Sequence, residues 1–343
     1  MQPASPEPPA AAAGAPGGDR VALPCDGGDA GSPSDLEQYE QAALALTRQA
    51  GALLLEALRS PPEVEFKDAQ RRDPVTATDR LIEDFLVDAL HSRFPGHGLL
   101  GEERADEASA SDYLWVMDPL DGTANFANGL PFCAVSLALL HRGQPVVGCI
   151  FVTIGPGGQP GVLHARLGGG ARFEEVPIHV AAPESPAPRL AALPGGWRAR
   201  FRLHGPAGRK AGDLRNLGST CHEGGLVACG ALRWAIFLSP KLWDVAAAVL
   251  LVQEAGGLAR FWERGGWRDA ERFAPPYGSR DGKPLTLRDW SRPTLLGDPD
   301  SVELVCGHLA WRRLPRLLQA LRRGWNSLRK RLALQPRQPA STP

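Results

Sequence analysis

The sequence predicts a mixed α/β (α+β) fold, because segments with helical spacing alternate along the chain with short, β-rich apolar runs. One amphipathic helix is predicted from Asp35, which can cap its start, to the residues before Pro61. Two apolar runs, 132–140 and 145–153, surround a short polar turn and predict an antiparallel hairpin. A strongly apolar helix is predicted over 242–257. The chain is therefore neither all-α nor all-β.

Length and composition allow one large domain or two ordinary ones. The chain has 343 residues, of which 43% are hydrophobic and 22% are charged. Its 38 Lys and Arg balance 38 Asp and Glu, so no net charge attracts nucleic acid or a membrane. The six cysteines form no Cys-x-x-Cys pair, which argues against a zinc site or a disulfide framework. No apolar run has the length of a membrane span and no secretion signal is evident, so a reducing, cytoplasmic location is predicted.

Three regions are predicted along the chain. Residues 1–34, rich in Pro, Ala and Gly, are expected to be disordered, because they cannot bury enough apolar surface. Residues 35–307 form the folded domain. Residues 308–343 are predicted to be a basic amphipathic helix and tail. Such a tail could contact a membrane surface, an anionic partner or nucleic acid, or it could pack on its own domain.

Shorter elements fill the folded domain. Thr78 or Asp79 is the predicted N-cap of an amphipathic helix that ends at Pro95. Residues 216–228 predict another helix. Short strands are predicted at 64–67, 114–117, 162–167, 189–193, 234–238 and 294–297, whereas 259–291 is predicted to be turn-rich and polar.

The stretch from Trp115 to Phe126 carries the most chemical information. An apolar strand ends at Asp118, and Asp121, Gly122 and Thr123 follow. Two carboxylates at a strand end suit hard cations, which prefer oxygen ligands. A glycine at the turn would let a phosphate approach the backbone N–H groups. Taken alone, the same residues are also compatible with a simple turn after a strand.

Further acidic residues recur before or after the predicted elements. Asp79 and Asp244 each lie at the start of a predicted helix, where an N-cap is the ordinary interpretation. Glu102 and Glu103 follow Gly101, where solvated surface is the ordinary interpretation. Each is ambiguous by itself.

In combination, these segments resemble the inositol monophosphatase family of magnesium-dependent, lithium-sensitive phosphatases. The resemblance depends on four segments that occur in the family's order: 73–79 (Asp-x-Val-Thr-x-x-Asp), 101–103 (Gly-Glu-Glu), 115–126 and 242–257. The resemblance covers about Asp35 to Leu304. It implies a layered α-β-α-β-α sandwich of the inositol monophosphatase and fructose-1,6-bisphosphatase type, with one antiparallel and one mixed sheet, and a homodimer.

The resemblance also implies site residues. Mg²⁺ would be held by Glu102, Asp118, Asp121, Asp244 and the carbonyl of Leu120. The catalytic residues would be Glu102 and Thr123, which position the attacking water, and Asp79, which pairs with Thr123. Substrate would contact Leu120, Asp121, Gly122, Thr123, Gly218, Ser219, Thr220 and Asp244.

This residue set suits phosphate monoester hydrolysis. Two cations about 3.5–4 Å apart can neutralise phosphoryl oxygens, acidify a water and stabilise the leaving group. Several carboxylates are needed to hold two divalent ions. No cysteine or Ser/His pair is placed as a nucleophile, which favours direct attack by water.

Two positions depart from the family pattern. Family members that bind inositol have a glutamate seven residues before Asp244, and this chain has Phe237 there. A second acid, found upstream in many members, corresponds to Arg233. Phenylalanine cannot accept hydrogen bonds from sugar hydroxyls, and an unsatisfied polyol is costly to bury.

The predicted function is therefore a magnesium-dependent phosphomonoesterase acting on a small polyol or sugar phosphate, with inositol monophosphate as the leading substrate. Alternatives with the same fold are phosphatases for histidinol phosphate, fructose 1,6-bisphosphate or a nucleotide 3′-phosphate. A different class, a regulator that binds RNA or RNA polymerase through the basic tail, is the other alternative.

Overall fold

The computed structural model describes residues 32–59, 64–66, 74–104, 106–107, 111–182, 190–210, 212–263, 265–280 and 282–312. The predicted disordered segment 1–34 lies almost wholly outside the described residues, as do Asp73 and most of the basic tail. In the described part of the chain the α-helices are α1 Pro33–Ala57, α2 Ala77–Arg93, α3 Thr123–Ala127, α4 Gly205–Lys210, α5 Thr220–Ala228, α6 Leu242–Glu254 and α7 Pro299–His308. Among these helices none is both long and apolar enough to cross a bilayer.

The strands are mostly short. They are β1 Val64–Phe66, β2 Pro74–Thr76, β3 Gly98–Gly101, β4 Tyr113–Asp121, β5 Ala134–His141, β6 Gln144–Val152, β7 Gly161–Arg166, β8 Ala171–Phe173, β9 Val176–Pro177, β10 Leu190–Ala192, β11 Phe201–Leu203, β12 Asp213–Arg215, β13 Trp234–Phe237, β14 Leu258–Glu263, β15 Gly266–Asp269, β16 Ser279–Arg280, β17 Lys283–Pro284, β18 Thr294–Gly297 and β19 Leu309–Trp311.

The larger sheet has the order β3-β4-β5-β6-β7-β8-β9 and is antiparallel except for the parallel pair β3/β4. The predicted hairpin is confirmed as β5 and β6, joined at Arg142 and Gly143. Both turn residues have positive φ, 49° and 82°, as a tight hairpin turn that matches strand twist requires. Every residue of β5 is buried, because helices cover both faces of this sheet.

The second sheet, β12-β10-β13-β18-β14-β15, is mixed. Strand β10 runs parallel to β12 and β13, whereas β18 is antiparallel to β13 and β14. Helices α5 and α6 pack between the two sheets, α1 and α2 pack on the larger sheet, and α7 packs on the second.

Side chains on alternating strand positions establish these layers. On β6, Gly148 approaches Ala247 of α6, whereas the ring of Phe151 lies against Gly51 of α1. On β18, Leu295 joins the cluster formed with α7, and Leu296 joins the cluster formed with α6. Neighbouring strand residues point to opposite faces, so α6 is enclosed by sheets on two sides. The predicted α-β-α-β-α sandwich is confirmed.

Helix starts differ from the predicted caps in a consistent way. Ser32, Thr76 and Lys241 occupy the N-cap positions of α1, α2 and α6. The predicted caps Asp35, Asp79 and Asp244 each lie three residues later, and each carboxylate accepts the N-cap backbone N–H. The predictions placed each cap too late, although α6 begins at Leu242 as predicted, because an acidic residue in the first turn bonds back to the cap.

Two further regions depart from the predictions. Residues 259–291 were predicted to be turn-rich, but they contain most of β14 and all of β15, at the edge of the second sheet. An edge strand tolerates polar and charged residues, which hide its β pattern. Helix α7 was not predicted, and β19 pairs with β11, so the first residues of the predicted 308–343 segment belong to a two-stranded ribbon.

Candidate functional site

The parallel pair β3/β4 brings two acidic segments together. Gly101, the last residue of β3, is the register partner of Met117. The next residues, Glu102 and Asp118, therefore lie side by side at the same end of the sheet. Glu102 lies in a bend and is half-buried, whereas Asp118 is buried. The segments that carry these two carboxylates thus meet at one end of the larger sheet.

A bulge in β4 turns Asp118 and Asp121 to the same side. Asp118 is opposite Ser136 and Asp121 is opposite Ala134, so three steps on β4 match two on β5. Residues three apart on a regular strand point to opposite faces, and one extra residue restores a common face. The strand continues to Asp121 rather than ending at Asp118 as predicted. Pro119 lies in the bulge, where its missing N–H costs no ladder bond.

The third segment comes from the helices between the sheets. Asp121 Oδ2 accepts hydrogen bonds from Ser219 Oγ and from the backbone N–H of Cys221, both at 2.6 Å. The thiol of Cys221 in turn lies 3.2 Å from the carbonyl of Asp244. These bonds connect β4 to the first turns of α5 and α6. Asp244 is therefore brought beside Asp118 and Asp121 although it is more than 120 residues away in the sequence.

Burial and mutual repulsion raise the pKa values of the acids in this cluster. Burial, followed by repulsion from Glu102, Asp121 and Asp244, raises the pKa of Asp118 well above its ordinary value. Burial and repulsion from Asp121 likewise raise the pKa of Asp244. Burial raises the pKa of Asp121, although its hydrogen bonds from Ser219 and Cys221 oppose that effect. Without a cation, this cluster holds negative charge at a substantial cost.

The cluster fits a hard divalent cation. Ligand atoms of Asp118, Asp121 and Cys221 lie within 4.8 Å of one another. Burial and the surrounding carboxylates raise the pKa of the Cys221 thiol well above its ordinary value, so that group is a neutral thiol and a poor ligand. The remaining donors are carboxylate oxygens with the carbonyl of Leu120 nearby, which suit Mg²⁺ rather than zinc.

Thr123 and Asp79 also meet at this site. Thr123 Oγ1 lies 3.4 Å from Asp79 Oδ1 and 2.9 Å from the carbonyl of Leu120. The single hydroxyl hydrogen therefore goes to Leu120 at the shorter distance. Asp79 is buried and its other oxygen accepts the N–H and hydroxyl of Thr76, at 2.7 and 2.6 Å. Burial raises the pKa of Asp79.

Gly122 lies at a position that no other residue could occupy without distortion. Its φ is +87°, and a Cβ atom there would lie 2.7 Å from the carbonyl of Phe132. Gly218 has φ +76° and packs against the amide of Asn125. That amide donates to the carbonyls of Phe132 and Leu217, at 2.8 and 2.7 Å. Asn125 thus joins the first site segment to the loop that carries Gly218.

The remaining predicted substrate residues lie at the start of α5. Ser219 is its N-cap and is buried, and its hydroxyl donates a hydrogen bond to Asp121 Oδ2. Thr220 is half-buried in the first turn. Phe237 ends β13 and is buried in the apolar cluster around α6. Arg233 is buried as well and forms an ion pair with Asp298, 3.0 Å between Nε and Oδ2. Neither Phe237 nor Arg233 therefore offers an acceptor to a polyol.

Sequence reasoning missed Glu223, which supports the same loop from behind. Glu223 is buried in α5, and its Oε1 accepts the N–H of Leu217 at 2.6 Å. Burial raises the pKa of Glu223 to about 7. In the sequence it is only one acid within a helix, so no local pattern distinguished it from a solvated residue.

We expect Glu223→Gln to remove a pH dependence of stability. A carboxyl with a raised folded pKa stabilises the fold below its ordinary pKa of 4.5 and loses that contribution as pH rises through about 7. Glutamine keeps the acceptor for Leu217 without a charge. The difference in the free energy of unfolding, Glu223→Gln minus wild type, should therefore increase by on the order of 3 kcal/mol between about pH 4 and about pH 8. Urea unfolding at several pH values measures this difference, and parallel pH profiles would refute it.

Similarity to known proteins agrees with this architecture. A model of the inositol monophosphatase family matches residues 35–281. The chloroplastic phosphatase IMPL1 of Arabidopsis thaliana is 34% identical over 224 residues, 62% of this chain and 59% of that protein. A Nus factor SuhB from Xylella fastidiosa is 32% identical over 216 residues, 61% of this chain and 77% of that protein. The solved inositol monophosphatase from Anabaena is 25% identical, covers 79% of this chain and 94% of its own, and has a TM-score of 0.57.

The layered sandwich is also the fold of the solved inositol monophosphatase from Anabaena. The chain belongs to the inositol monophosphatase family, whose model covers most of the folded domain. It is accordingly a phosphoric monoester hydrolase. The resemblance stated from its motifs is confirmed.

Proposed function

We propose that the protein is a magnesium-dependent phosphomonoesterase for a small polyol or sugar phosphate, with inositol monophosphate as the leading candidate. One observation carries the proposal. Acids from three separate segments, Glu102, Asp118 with Asp121, and Asp244, converge closely enough to raise the pKa of Asp118. Such repulsion is compensated when a divalent cation binds.

The ligands proposed for Mg²⁺ are Glu102, Asp118, Asp121, Asp244 and the carbonyl of Leu120. Bound Mg²⁺ would neutralise phosphoryl oxygens, lower the pKa of a water and stabilise the leaving alkoxide. The other roles belong to the chain itself. The backbone N–H groups of Gly122 and Thr123 would bind the phosphate, and the positive φ of Gly122 permits the turn that carries them. Thr123 would orient the water together with Glu102. Asp79, whose Oδ1 lies 3.4 Å from the Thr123 hydroxyl, would accept its proton during the reaction.

The buried positions of Phe237 and Arg233 bear on substrate choice. The ring of Phe237 packs in an apolar cluster, and the guanidinium of Arg233 forms an ion pair with Asp298. A polyol would therefore rely on the backbone and side chains near Gly218 and Thr220. Histidinol phosphate, fructose 1,6-bisphosphate and nucleotide 3′-phosphates are the alternative substrates with the same chemistry.

A substrate panel tests this proposal. The purified protein would be assayed on inositol 1-phosphate and the three alternatives, with Mg²⁺ and after removal of metal by EDTA. We expect hydrolysis of at least one phosphate monoester that EDTA abolishes and added Mg²⁺ restores. Hydrolysis that is indifferent to EDTA would contradict the metal requirement. A homodimer, lithium inhibition and a cytoplasmic location complete the proposal, and light scattering, added lithium and cell fractionation test them respectively.

A second candidate function, binding of RNA, is favoured by a group of arginines on the β11/β19 ribbon. The N–H of Arg312 donates to the carbonyl of Arg200 at 2.8 Å, so the two arginines lie directly opposite each other. Arg202 lies two residues after Arg200, on the same face of the ribbon, and is exposed like both of them. Within the described residues no carboxylate pairs with any of the three. Like charges opposite each other are destabilising, and an anionic partner would offset that cost.

The chain that follows this ribbon extends the positive charge. Residues 313–343 contain eight Lys and Arg and no Asp or Glu. Single-stranded RNA suits positive charges dispersed along the sequence better than a folded acidic protein does, because a flexible polyanion can follow them. The partner would bind apart from the acidic cluster, which repels phosphate unless metal is bound.

We expect Arg200→Glu combined with Arg202→Glu to weaken RNA binding by about tenfold or more. The slope of log affinity against log salt should fall in magnitude by about 1 to 2, because two phosphate contacts are lost. Fluorescence anisotropy with a labelled single-stranded RNA measures both. Arg93→Glu with Arg172→Glu is the matched control at other exposed arginines. Equal affinity of the two double variants, or binding to anionic vesicles alone, would reject RNA as the partner.

A further inference from the structure

Arg288 contacts the loop that carries Glu102, although 186 residues separate them. It lies in the 3-10 helix Leu287–Asp289, outside the segment that matches the family model. Its Nη2 donates to the carbonyl of Gly101 at 2.6 Å and also to that of Arg104. Its Nη1 donates to the carbonyl of Glu102 at 3.3 Å. One guanidinium thus holds three carbonyls of a four-residue bend.

Two further contacts fix the guanidinium itself. Its Nε donates to Asp106 Oδ1 at 2.5 Å. Its central carbon lies 5.4 Å from the ring centroid of Trp243, a distance at which a cation is attracted to an aromatic face. Trp243 is the residue before Asp244. Arg288 therefore connects the loop carrying one proposed ligand to the helix start carrying another.

The opposite side of the same loop is held by Glu83 of α2. Glu83 is buried, and its Oε1 accepts the N–H groups of Glu103 and Arg104, each at 3.3 Å. A Cβ atom on Gly101 would lie only 1.8 Å from that oxygen, so this approach requires glycine. The carbonyls of the loop face Arg288 and its N–H groups face Glu83. The bend has no regular secondary structure, so these side chains determine its position.

We propose that Arg288 is a positioning residue that holds the carboxylate of Glu102 in place to bind Mg²⁺. Arginine suits the task because its planar fork offers five N–H donors, four of which have the acceptors described above. Lysine has a point charge and three donors, and it cannot reproduce the fork. The inference rests on the proposed magnesium-dependent phosphatase and deepens it.

Metal binding measured directly tests the role of Arg288. The full chain, its Arg288→Met and Arg288→Lys variants, and Asp118→Asn would be titrated with Mg²⁺ alone by calorimetry. We expect Arg288→Met to weaken Mg²⁺ binding by about 10–100-fold, as loss of a residue that orients a ligand does. Arg288→Lys should recover little of that loss. The turnover of Arg288→Met should be closer to that of wild type at saturating Mg²⁺ than at limiting Mg²⁺. General destabilisation would not produce this difference.

Arg260→Met is the matched control. Arg260 also bridges carboxylates, Asp269 at 3.0 Å and Glu303 at 2.6 Å, but it lies on the second sheet away from the Glu102 loop. We expect its Mg²⁺ affinity to equal that of wild type. Unchanged Mg²⁺ affinity in Arg288→Met would overturn the proposal, whether or not its melting temperature falls. Full recovery in Arg288→Lys would also overturn it, because charge alone would then suffice.

These outcomes separate the two proposals. If wild type binds Mg²⁺ and Asp118→Asn does not, the phosphatase proposal stands, and Arg288 is judged by its own variants. If wild type binds no Mg²⁺, both proposals fail together. If Arg288→Met does not fold, Arg288→Lys and its turnover at limiting Mg²⁺ still test the role of Arg288. A folded lysine variant with wild-type Mg²⁺ affinity is incompatible with the proposal.

Discussion

Asp118→Asn is expected to lower kcat/KM by about 10³-fold, which corresponds to about 4 kcal/mol of transition-state stabilisation. Asp118 is 1% exposed and lies among Glu102, Asp121 and Asp244. An amide keeps the shape of the side chain but removes the charge that would hold a cation. Because the proposed site binds metal through this residue, both metal affinity and turnover should fall together.

The same substitution should stabilise the metal-free protein. Burial and neighbouring acids raise the pKa of Asp118, so its ionised form is destabilised in the fold at neutral pH. An uncharged residue removes this cost, and the melting temperature without Mg²⁺ should rise. A gain in stability with a loss of activity distinguishes a functional residue from a structural one.

Steady-state kinetics and thermal melts in EDTA measure these effects. Asp112→Asn is the control, since Asp112 is an exposed aspartate paired with Arg142 at the far end of β4. Activity within tenfold of wild type in Asp118→Asn would be incompatible with metal-assisted hydrolysis at this cluster. A lower melting temperature in EDTA would instead mean that Asp118 supports the fold.

Arg233→Met is expected to cost about 3–5 kcal/mol in the free energy of unfolding. The Arg233 and Asp298 side chains are 7% and 1% exposed. Two parallel hydrogen bonds join them, at 3.0 and 3.2 Å, and Arg233 also donates to the carbonyl of Ala182 at 2.9 Å. Methionine fills similar space but leaves the Asp298 carboxylate buried without its partner.

A double variant separates the pair from its surroundings. Asp298 caps α7 by accepting the N–H of Ser301 at 3.0 Å, and asparagine can keep that bond. Arg233→Met with Asp298→Asn should therefore recover much of the stability lost in the single variant. Urea denaturation measures both. A loss below about 1 kcal/mol in Arg233→Met would show that the pair contributes little.

The acidic motif around Asp118 was readable from the sequence because its residues are contiguous. An apolar run followed by Asp-Pro-x-Asp-Gly-Thr has few explanations once Glu102, Asp79 and Asp244 recur near other element ends. The hairpin and α6 were readable for the same reason, since each is a continuous apolar pattern. The caps were misplaced by three residues, because an acid that bonds back to the cap resembles the cap itself.

Other parts of the site leave no local pattern. Strand β15 carries charged residues at the edge of the second sheet, and β14 beside it carries Arg260 and Glu263, a composition that also describes a loop. Cys221, Asn125 and Glu223 each look ordinary in their own segments. Their roles depend on hydrogen bonds to Asp121 and Leu217, which come from other elements.

By itself, the sequence determined the alternation of helices and strands, the acidic residues available for a cation, and the family to which they belong. Only the tertiary structure decided that Asp118 and Asp121 face the same side, that Arg233 is paired with Asp298, and that Arg288 holds the Glu102 loop. The reason is physical. Periodicity and composition act between residues near in the chain, whereas strand register, bulges and buried polar partners depend on residues that meet only after the layers have packed.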